Sequence, residues 1–588
     1  MDRTIAATDG TKPSVLAWHD SHCASAVLLA PDGHIRYAAA EERFVKQKLF
    51  KGYPGHAIND IHKRFDGTRS DVAYVDLSVD EKIARNLGLA WHTWRRGLNC
   101  EKSLSSLTRT AMSKARDAAV AEGETAERIT ADSLCEHHTA HAASAYYCSG
   151  FDQAHVVTID GVGDCLSGSI WEGRNGFLRR RHTFYYNELT VGADYETFTA
   201  MLGFNPDRHC GKITGLAAFG KPDPACINAL RYFFEQSWRA GHRNYFDRMH
   251  GEKSERTIAE LRRLRTERFG RFSREDLAYA IQHLAEQRVT NLILEHIPDI
   301  HTSNIALAGG VFANVRINQK VKELGFQNIF IQPAMDDGGL ALGAGLYHLS
   351  RRQPLRPYRL ESMFCGPAYT DAEIEDALDR AGMQYEHSSE TPLAIAQLVA
   401  EGKVVARFDG AMEFGPRALG NRSILYATGD PKVNDWLNRR LGRTEFMPFA
   451  PATLAERADD CYVNLDGCRH TAEFMTITFD CTEYMKQTSP AVVHIDGTAR
   501  GQLVTQNANP GFHQILSEYE KLTGIPSLVN TSFNMHESPI VMSPTDAIQS
   551  FNEGKLDVLA IGSYIVRREN NLDAQRDRRE VASGAQVA

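Results

Sequence analysis

Val156-Val157-Thr158-Ile159-Asp160-Gly161-Val162-Gly163-Asp164 is a short β-rich run that ends on an aspartate and closes in a glycine turn. Its β-branched residues predict a strand over Val156–Ile159, because such side chains fit the pleated conformation. Asp160 then sits at the strand end, and the glycines let backbone approach whatever the carboxylate holds. Upstream, Glu136-His137-His138-Thr139-Ala140-His141-Ala142 leads into the helix-compatible run Ala143–Tyr147. His137 and His141 are four positions apart, so on a helix their rings share one face and can grip one cation. Downstream, Asp336-Asp337 precedes Gly338-Gly339 much as Asp160 precedes its own glycines. A mixed His/Asp set suits iron(II), the favoured ion, or manganese or zinc better than calcium, since imidazole prefers transition metals.

Around this stretch, strand-like and helix-like patterns alternate, which predicts an α/β fold. Ser14–Ala30 begins as a strand ending near His22, with Ile35–Ala40 as its hairpin partner after Pro31-Asp32-Gly33. Val72–Leu77, Ile305–Leu307 and Ile329–Gln332 read as further strands, and Leu104–Glu122 as a helix. Residues 222–298 lose strand character and are expected to form a helical insertion. Gly338–Gly345 should open a helix. Arg351–Arg359, with two prolines and four arginines, reads as a linker. Beyond it a second α/β unit has strands near Val404–Phe408 and Val558–Val566. The expected domains are residues 1–355 and 356–570, followed by a polar, frayed tail over 571–588.

A chain of 588 residues exceeds what one hydrophobic core usually serves. Lysine and arginine number 66 against 74 acidic residues, a net charge of −8, which argues against nucleic acid or an anionic membrane as partner. No run approaches the roughly 18 apolar residues that span a bilayer, and Met1–Pro13 lacks the apolar core of a signal peptide. The 11 cysteines form no C-x-x-C pair, as expected of reduced thiols in a cytoplasm.

These motifs resemble a known family. His-x-x-x-His, Ile-Asp-Gly-x-Gly-Asp, Gly211-Lys212-Ile213-Thr214-Gly215, Ala308-Gly309-Gly310-Val311-Phe312-Ala313-Asn314 and Asp-Asp-Gly-Gly occur in this order. Together they look like the TsaD-like module, a member of the superfold shared by actin, sugar kinases and heat-shock ATPases. The resemblance implies His137, His141, Asp160 and Asp336 as metal ligands, with Asp337 as the alternative to Asp336. It also implies a nucleotide lined by Gly161, Gly309, Gly310 and Asn314. Val15–Leu29 is similar to the family's opening strand, and the spacing to Asp32-Gly33 puts His22 on the histidine proposed as base. His19 is a second candidate, and Cys23 stands where the family has an aspartate. Imidazole suits a base because its free pKa, about 6.5, lies near working pH. Ala39–Phe44 with Lys46 and Lys48 also matches, and the resemblance puts Lys48 near carbamoyl phosphate or an adenylate.

The C-terminal half carries the densest match: Met412-Glu413-Phe414-Gly415-Pro416-Arg417-Ala418-Leu419-Gly420-Asn421-Arg422-Ser423, then Arg443–Pro451, Asp496–Arg500 and Val529–Asn534. These blocks resemble the YrdC-like domain of the NodU/CmcH/TobZ-type carbamoyltransferases of natural-product biosynthesis. Carbamoyl phosphate and ATP carry several negative charges, and arginine offers a planar fork to phosphate oxygens. Arg417 and Arg500 are the catalytic candidates. Arg443 binds beside them, with Asn530 and Ser532 adding neutral hydrogen bonds. Met447 stands where the family often has an arginine, so that phosphate contact is either lost or supplied by Arg439 or Arg440. The resemblance implies an ATP- and carbamoyl-phosphate-dependent O-carbamoyltransferase, or N-carbamoyltransferase, that uses Mg²⁺ with ATP. It forms carbamoyl-adenylate and carbamoylates a small natural product such as an antibiotic, as a monomer or homodimer. A tRNA threonylcarbamoyladenosine synthase would need a basic face that is not evident here. A non-catalytic ATP-binding regulator on the actin-like fold would need neither the histidines nor the arginine-rich module.

Overall fold

The computed structural model describes residues 14–65, 70–75, 134–164, 166–185, 188–239, 254–352, 354–442 and 449–571. The chain divides into two compact units, residues 1–45 with 49–360 and residues 46–48 with 361–588. The helix expected over Leu104–Glu122 and the tail after Asn571 lie outside the described residues.

In the first unit, strands β1 (Ser14–His19), β2 (Ser25–Leu29), β3 (Ile35–Ala40) and β4 (Ser70–Val75) form a sheet in the order β3-β2-β1-β4. The neighbours pair antiparallel except β1 with β4, which run parallel. The expectation of one strand from Ser14 toward His22 needs correction. The chain turns after His19, Cys23 adopts the left-handed conformation (φ 61°), and Ile35–Ala40 pairs with Ser25–Leu29 instead. A non-glycine residue in that region breaks the extended run.

Strands β5 (Gln153–Gly163), β6 (Leu166–Arg174), β7 (Phe177–Tyr185), β8 (Asn304–Ala308) and β9 (Asn328–Ile331) form a second sheet in the order β7-β6-β5-β8-β9. Here β5, β6 and β7 are antiparallel neighbours, while β5–β8 and β8–β9 are parallel. The two sheets repeat one connectivity: an antiparallel meander followed by a crossover to a parallel strand beside the first. This duplicated α/β arrangement agrees with the actin-like superfold. Helix α1 (Gly55–Arg64) covers the first sheet through Ala57, Ile58 and Ile61, which join Leu16, Trp18 and Leu28 in one core.

Every residue of helix α2 (His137–Ser149) is buried. A helix enclosed on all sides needs small side chains, and Ala140, Ala142, Ala143, Ser144 and Ala145 supply them. On one side α2 meets α9 (Leu340–Arg352), which packs over the first sheet. A Cβ on Gly343 would lie 1.8 Å from the carbonyl oxygen of Ala140, so only glycine permits this approach. Helices α3 (Val191–Met201) and α4 (Cys210–Ala217) follow β7. Among the described residues, 222–298 hold helices α5 (Pro224–Arg239), α6 (Ser254–Phe269) and α7 (Arg274–His296) and no strand. Helix α8 (Val315–Lys322) lies between β8 and β9.

The second unit is built on an eight-stranded mixed sheet. Its strands are β10 (Glu386–His387), β11 (Val405–Phe408), β12 (Arg422–Tyr426), β13 (Ala450–Leu454), β16 (Gln502–Val504), β17 (Ser527–Ser532), β18 (Val558–Ile561) and β19 (Tyr564–Arg567). Their order is β10-β19-β18-β11-β12-β17-β13-β16, and β14 (Phe479–Asp480) and β15 (Thr498–Ala499) pair separately. Helices α10 (Thr391–Ala400) and α11 (Pro510–Thr523) cover one face, burying Ile395, Leu398, Val399, Phe512, Ile515 and Leu516 against Val405, Leu425 and Leu528. Each such side chain contributes about 1.5–3 kcal/mol relative to exposure. Among the described residues no helix is long and apolar enough to cross a membrane, and the described cysteines are free thiols.

Candidate functional site

Four side chains of the first unit converge: one ligand atom each from His137, His141, Asp160 and Asp337 lie within 4.8 Å of one another. His137 and His141 sit in the first turns of α2. Glu136 caps that helix, its carboxylate accepting the N–H groups of His138 and Thr139 at 3.2 and 2.9 Å. Arg180 in turn holds Glu136 and reaches Thr139 Oγ1 at 2.9 Å. Asp164 Oδ2 accepts the His137 N–H at 2.7 Å. Asp160, on β5, takes the N–H of Gly161 at 2.7 Å and that of Gly310 at 3.1 Å. Its Oδ2 lies 3.2 Å from His141 Nε2 and 3.6 Å from His137 Nε2. Asp337 Oδ1 is 3.7 and 3.8 Å from the same two nitrogens. A Cβ on Gly163 would lie 2.2 Å from the His137 ring, so the glycine turn makes room for the imidazole.

The donor set fits a divalent transition metal. Both ring nitrogens of His137 are buried without a hydrogen-bond partner, as is His141 Nδ1, and buried polar atoms are rarely left so. Burial opposes charge on both rings. Asp160 and Asp337 nevertheless raise His137 and lift His141 to about 9. Burial likewise opposes the charge on Asp160, but the two imidazoles hold its pKa well below the usual carboxylate range. His138 behaves differently. Its Nδ1 meets Thr158 Oγ1 at 2.9 Å and its Nε2 the carbonyl of Leu166 at 3.2 Å. Burial and the neighbouring His137 push it down to about 3, so it remains a neutral core histidine.

Of the two adjacent aspartates the geometry selects Asp337, whereas the family resemblance favoured Asp336. The reason is local. Asp336 Oδ1 accepts the Gly338 N–H at 3.1 Å and caps the turn, which turns Asp337 toward the histidines. Burial and Asp337 push Asp336 up to about 6, and His22 works against that rise. The β1–β2 turn stands beside it, with Ser25 Oγ donating to the Gly338 carbonyl at 2.9 Å. His19 is fully buried, with Nε2 2.8 Å from the His22 carbonyl. His22 is half-buried, and its Nδ1 lies 3.3 Å from Cys23 Sγ.

Gly309 has φ 105°, and a Cβ there would lie 2.3 Å from the Ile159 carbonyl oxygen. Asn314 caps α8 through the N–H groups of Arg316 and Ile317 and donates to Gln282 Oε1 at 2.8 Å. Lys48 groups with the second unit.

In the second unit the loop between Glu413 and Arg422 wraps around the Glu413 carboxylate. Its Oε1 accepts the N–H groups of Leu419, Asn421 and Arg422 at 2.8, 2.8 and 3.1 Å, and Arg417 lies within this loop. Arg500 stands close enough that burial and the Arg417 charge together push its pKa well below the ordinary arginine value. Its Nε is buried without a partner. Asn530 donates to the carbonyl of Ala418 at 3.3 Å and to Gln502 Oε1 at 2.8 Å, and its own Oδ1 is also buried and unpartnered. Ser532 Oγ bonds Asn534 Oδ1 at 2.6 Å. Arg422 contrasts with Arg500. Fully buried, it lies 3.7 Å over the Phe408 ring and donates to the carbonyls of Asp409, Pro367 and Gly410, pinning the loop. Arg443 lies outside the described residues.

Sequence reasoning assigned no role to Glu136, Asp164, Arg180 or Glu413. Glu136 carried a usable signal, an acceptor immediately before a helical run. Asp164 and Arg180 act across 27 and 41–44 residues, which no local pattern announces, while Glu413 acts within its own loop, on backbone N–H groups that side-chain identity does not reveal.

Models of the carbamoyltransferase N-terminus and C-terminus match residues 15–346 and 396–568. The Nodulation protein NolNO of Sinorhizobium fredii is 32% identical over 555 residues, covering 92% of this chain and 78% of the relative. The Nodulation protein NolO of Bradyrhizobium diazoefficiens is 34% identical over 446 residues, covering 74% and 78%. A Methanocaldococcus jannaschii protein is 33% identical over 464 residues, 74% of each chain. The chain belongs to the carbamoyltransferase family and is an enzyme of that class.

Proposed function

We propose that this enzyme forms carbamoyl-adenylate from carbamoyl phosphate and ATP in its C-terminal unit and, in its N-terminal unit, transfers the carbamoyl group to a hydroxyl of a small natural product. The observation that carries this reading is Arg500. Its side chain is half-enclosed, its Nε is buried without a hydrogen-bond partner, and burial together with the charge of a second arginine, Arg417, holds its pKa well below the ordinary arginine value. Two such groups side by side are stabilised by an anion between them. Phosphate oxygens of carbamoyl phosphate and ATP supply that charge, and the unpartnered Asn530 Oδ1 can accept an N–H of the carbamoyl group.

Carbamoyl phosphate is hydrolysed to carbamate and phosphate. A carbamate oxygen then attacks the α-phosphorus of ATP, releasing pyrophosphate. Arg417 and Arg500 hold the phosphates and neutralise charge on the attacked phosphoryl group. In the N-terminal unit, His137, His141, Asp160 and Asp337 would hold a divalent ion, iron(II), manganese or zinc. Such an ion stabilises negative charge on phosphate oxygen. The acceptor oxygen bonds to the carbamoyl carbon as AMP leaves, and its proton passes to His22. The half-buried His22 can present a ring nitrogen to a ligand, whereas His19 is enclosed and tied to a carbonyl. The free thiols agree with a cytoplasmic enzyme. Pyrophosphate release that requires carbamoyl phosphate and vanishes in Arg417→Ala tests this reading.

A further inference from the structure

Among the described residues, Cys23 is one of nine non-glycine residues with positive φ, at 61°. Such backbone is uncommon outside glycine, asparagine and aspartate, and it persists where the surroundings enforce it. Its effect here is to turn Sγ back onto the preceding residue, 3.3 Å from His22 Nδ1. The turn is anchored on both sides. Ala24 donates its N–H to the Phe50 carbonyl at 3.2 Å, His19 Nε2 meets the His22 carbonyl at 2.8 Å, and His22 bridges Lys51. The backbone of residue 22 is therefore held in place, with Cys23 Sγ within hydrogen-bond range of its ring Nδ1 and the Asp336 carboxyl as the charged neighbour.

We infer that Cys23 is a positioning residue for His22: its sulfur accepts the Nδ1–H, selects that tautomer, and leaves Nε2 as the nitrogen that meets the acceptor. The inference rests on the proposed role of His22 as base. A thiol sulfur is a weak acceptor and a weak donor, so the pair has two arrangements. If the S–H donated to Nδ1, Nε2 would carry the ring's hydrogen and could not take another proton. With the sulfur as acceptor, the acceptor's proton moves to Nε2, the imidazolium keeps Nδ1–H against the sulfur, and the thiol retains its own proton throughout. Burial and the carboxylates of Asp336, Asp337, Glu42 and Asp160 all oppose a thiolate at this position. Second partners that set which imidazole nitrogen reacts are a general device.

The direct test is ¹⁵N-histidine NMR on the full chain, with the His22 signals assigned by their loss in His22→Gln. The expected wild-type spectrum has His22 as the Nδ1–H tautomer. Cys23→Ser, which retains an acceptor, should keep that tautomer. Cys23→Gly removes the sulfur while suiting the left-handed backbone, so the fold should hold, and His22 should revert to the Nε2–H form favoured by free imidazole. An Nε2–H tautomer in wild type, or a Cys23→Gly spectrum unchanged from wild type, overturns the inference. The base role stands or falls separately. A His22→Gln enzyme that still carbamoylates an acceptor at the wild-type rate would remove the base role whatever tautomer the spectrum reports.

Discussion

Asp160 Oδ2 lies 3.2 Å from His141 Nε2 and accepts the Gly310 N–H at 3.1 Å. One carboxylate thus ties helix α2 to the turn after β8, and the candidate metal cluster is part of the packing between fold elements. Asp337 completes the cluster, while its neighbour Asp336 is spent on capping a turn. Asp337→Asn should therefore weaken Mn²⁺ or Zn²⁺ binding by at least about tenfold, and Asp336→Asn should leave it nearly unchanged. Calorimetric titration of the two variants separates them, and equal losses would contradict the assignment.

The pH dependence has opposite signs for stability and for metal affinity. His141 rises to about 9 in the folded chain, against about 6.5 when free. Between those values the metal-free fold binds more protons at this group than the unfolded chain. Its contribution is complete below about pH 6.5 and is lost as the pH rises through about 9. Metal needs the neutral ring, so divalent affinity should increase across the same window. Tm of chelator-treated protein, taken as wild type minus His141→Gln, should fall across it. A difference that grows with pH would rule this out.

Part of the candidate site is legible in the sequence. The His137/His141 spacing and the Asp160 carboxylate stand out by residue type and interval, but the strand expected to end at Ile159 runs on through Asp160 to Gly163, with a register shift after Ile159 that the glycines accommodate. The choice between Asp336 and Asp337 was not legible, because adjacent carboxylates differ only in which one the turn engages. The β1–β2 boundary was hidden for a similar reason: Ser14–Ala30 has strand composition at both ends, and the break depends on one left-handed residue, Cys23. Arg422 and Arg500 look alike in sequence. Burial over Phe408 and four carbonyl bonds make the first structural.

Gly343 sets the distance between α2 and α9. A methyl group there would meet the Ala140 carbonyl oxygen at 1.8 Å, a backbone atom that cannot swing aside. Gly343→Ala should cost about 1–3 kcal/mol by overpacking. Urea denaturation of metal-free protein measures this, and an unchanged midpoint would show that the helices can separate freely.

Glu413 organises the Arg417 loop through three backbone N–H groups. Glu413→Ala should lose about 1.5–3 kcal/mol of local stability and weaken ATP binding, with metal content in the N-terminal unit unchanged. Nucleotide titration alongside metal analysis checks the pair. Undiminished ATP affinity would remove the loop from the phosphate site.

The central claim is that the C-terminal unit makes carbamoyl-adenylate. Purified full-length enzyme supplied with ATP, Mg²⁺ and carbamoyl phosphate should release pyrophosphate. Omitting carbamoyl phosphate, or replacing Arg500 by alanine in a protein that retains its Tm and metal content, should abolish the release. Pyrophosphate formed equally without carbamoyl phosphate, or undiminished in Arg500→Ala, would contradict the account.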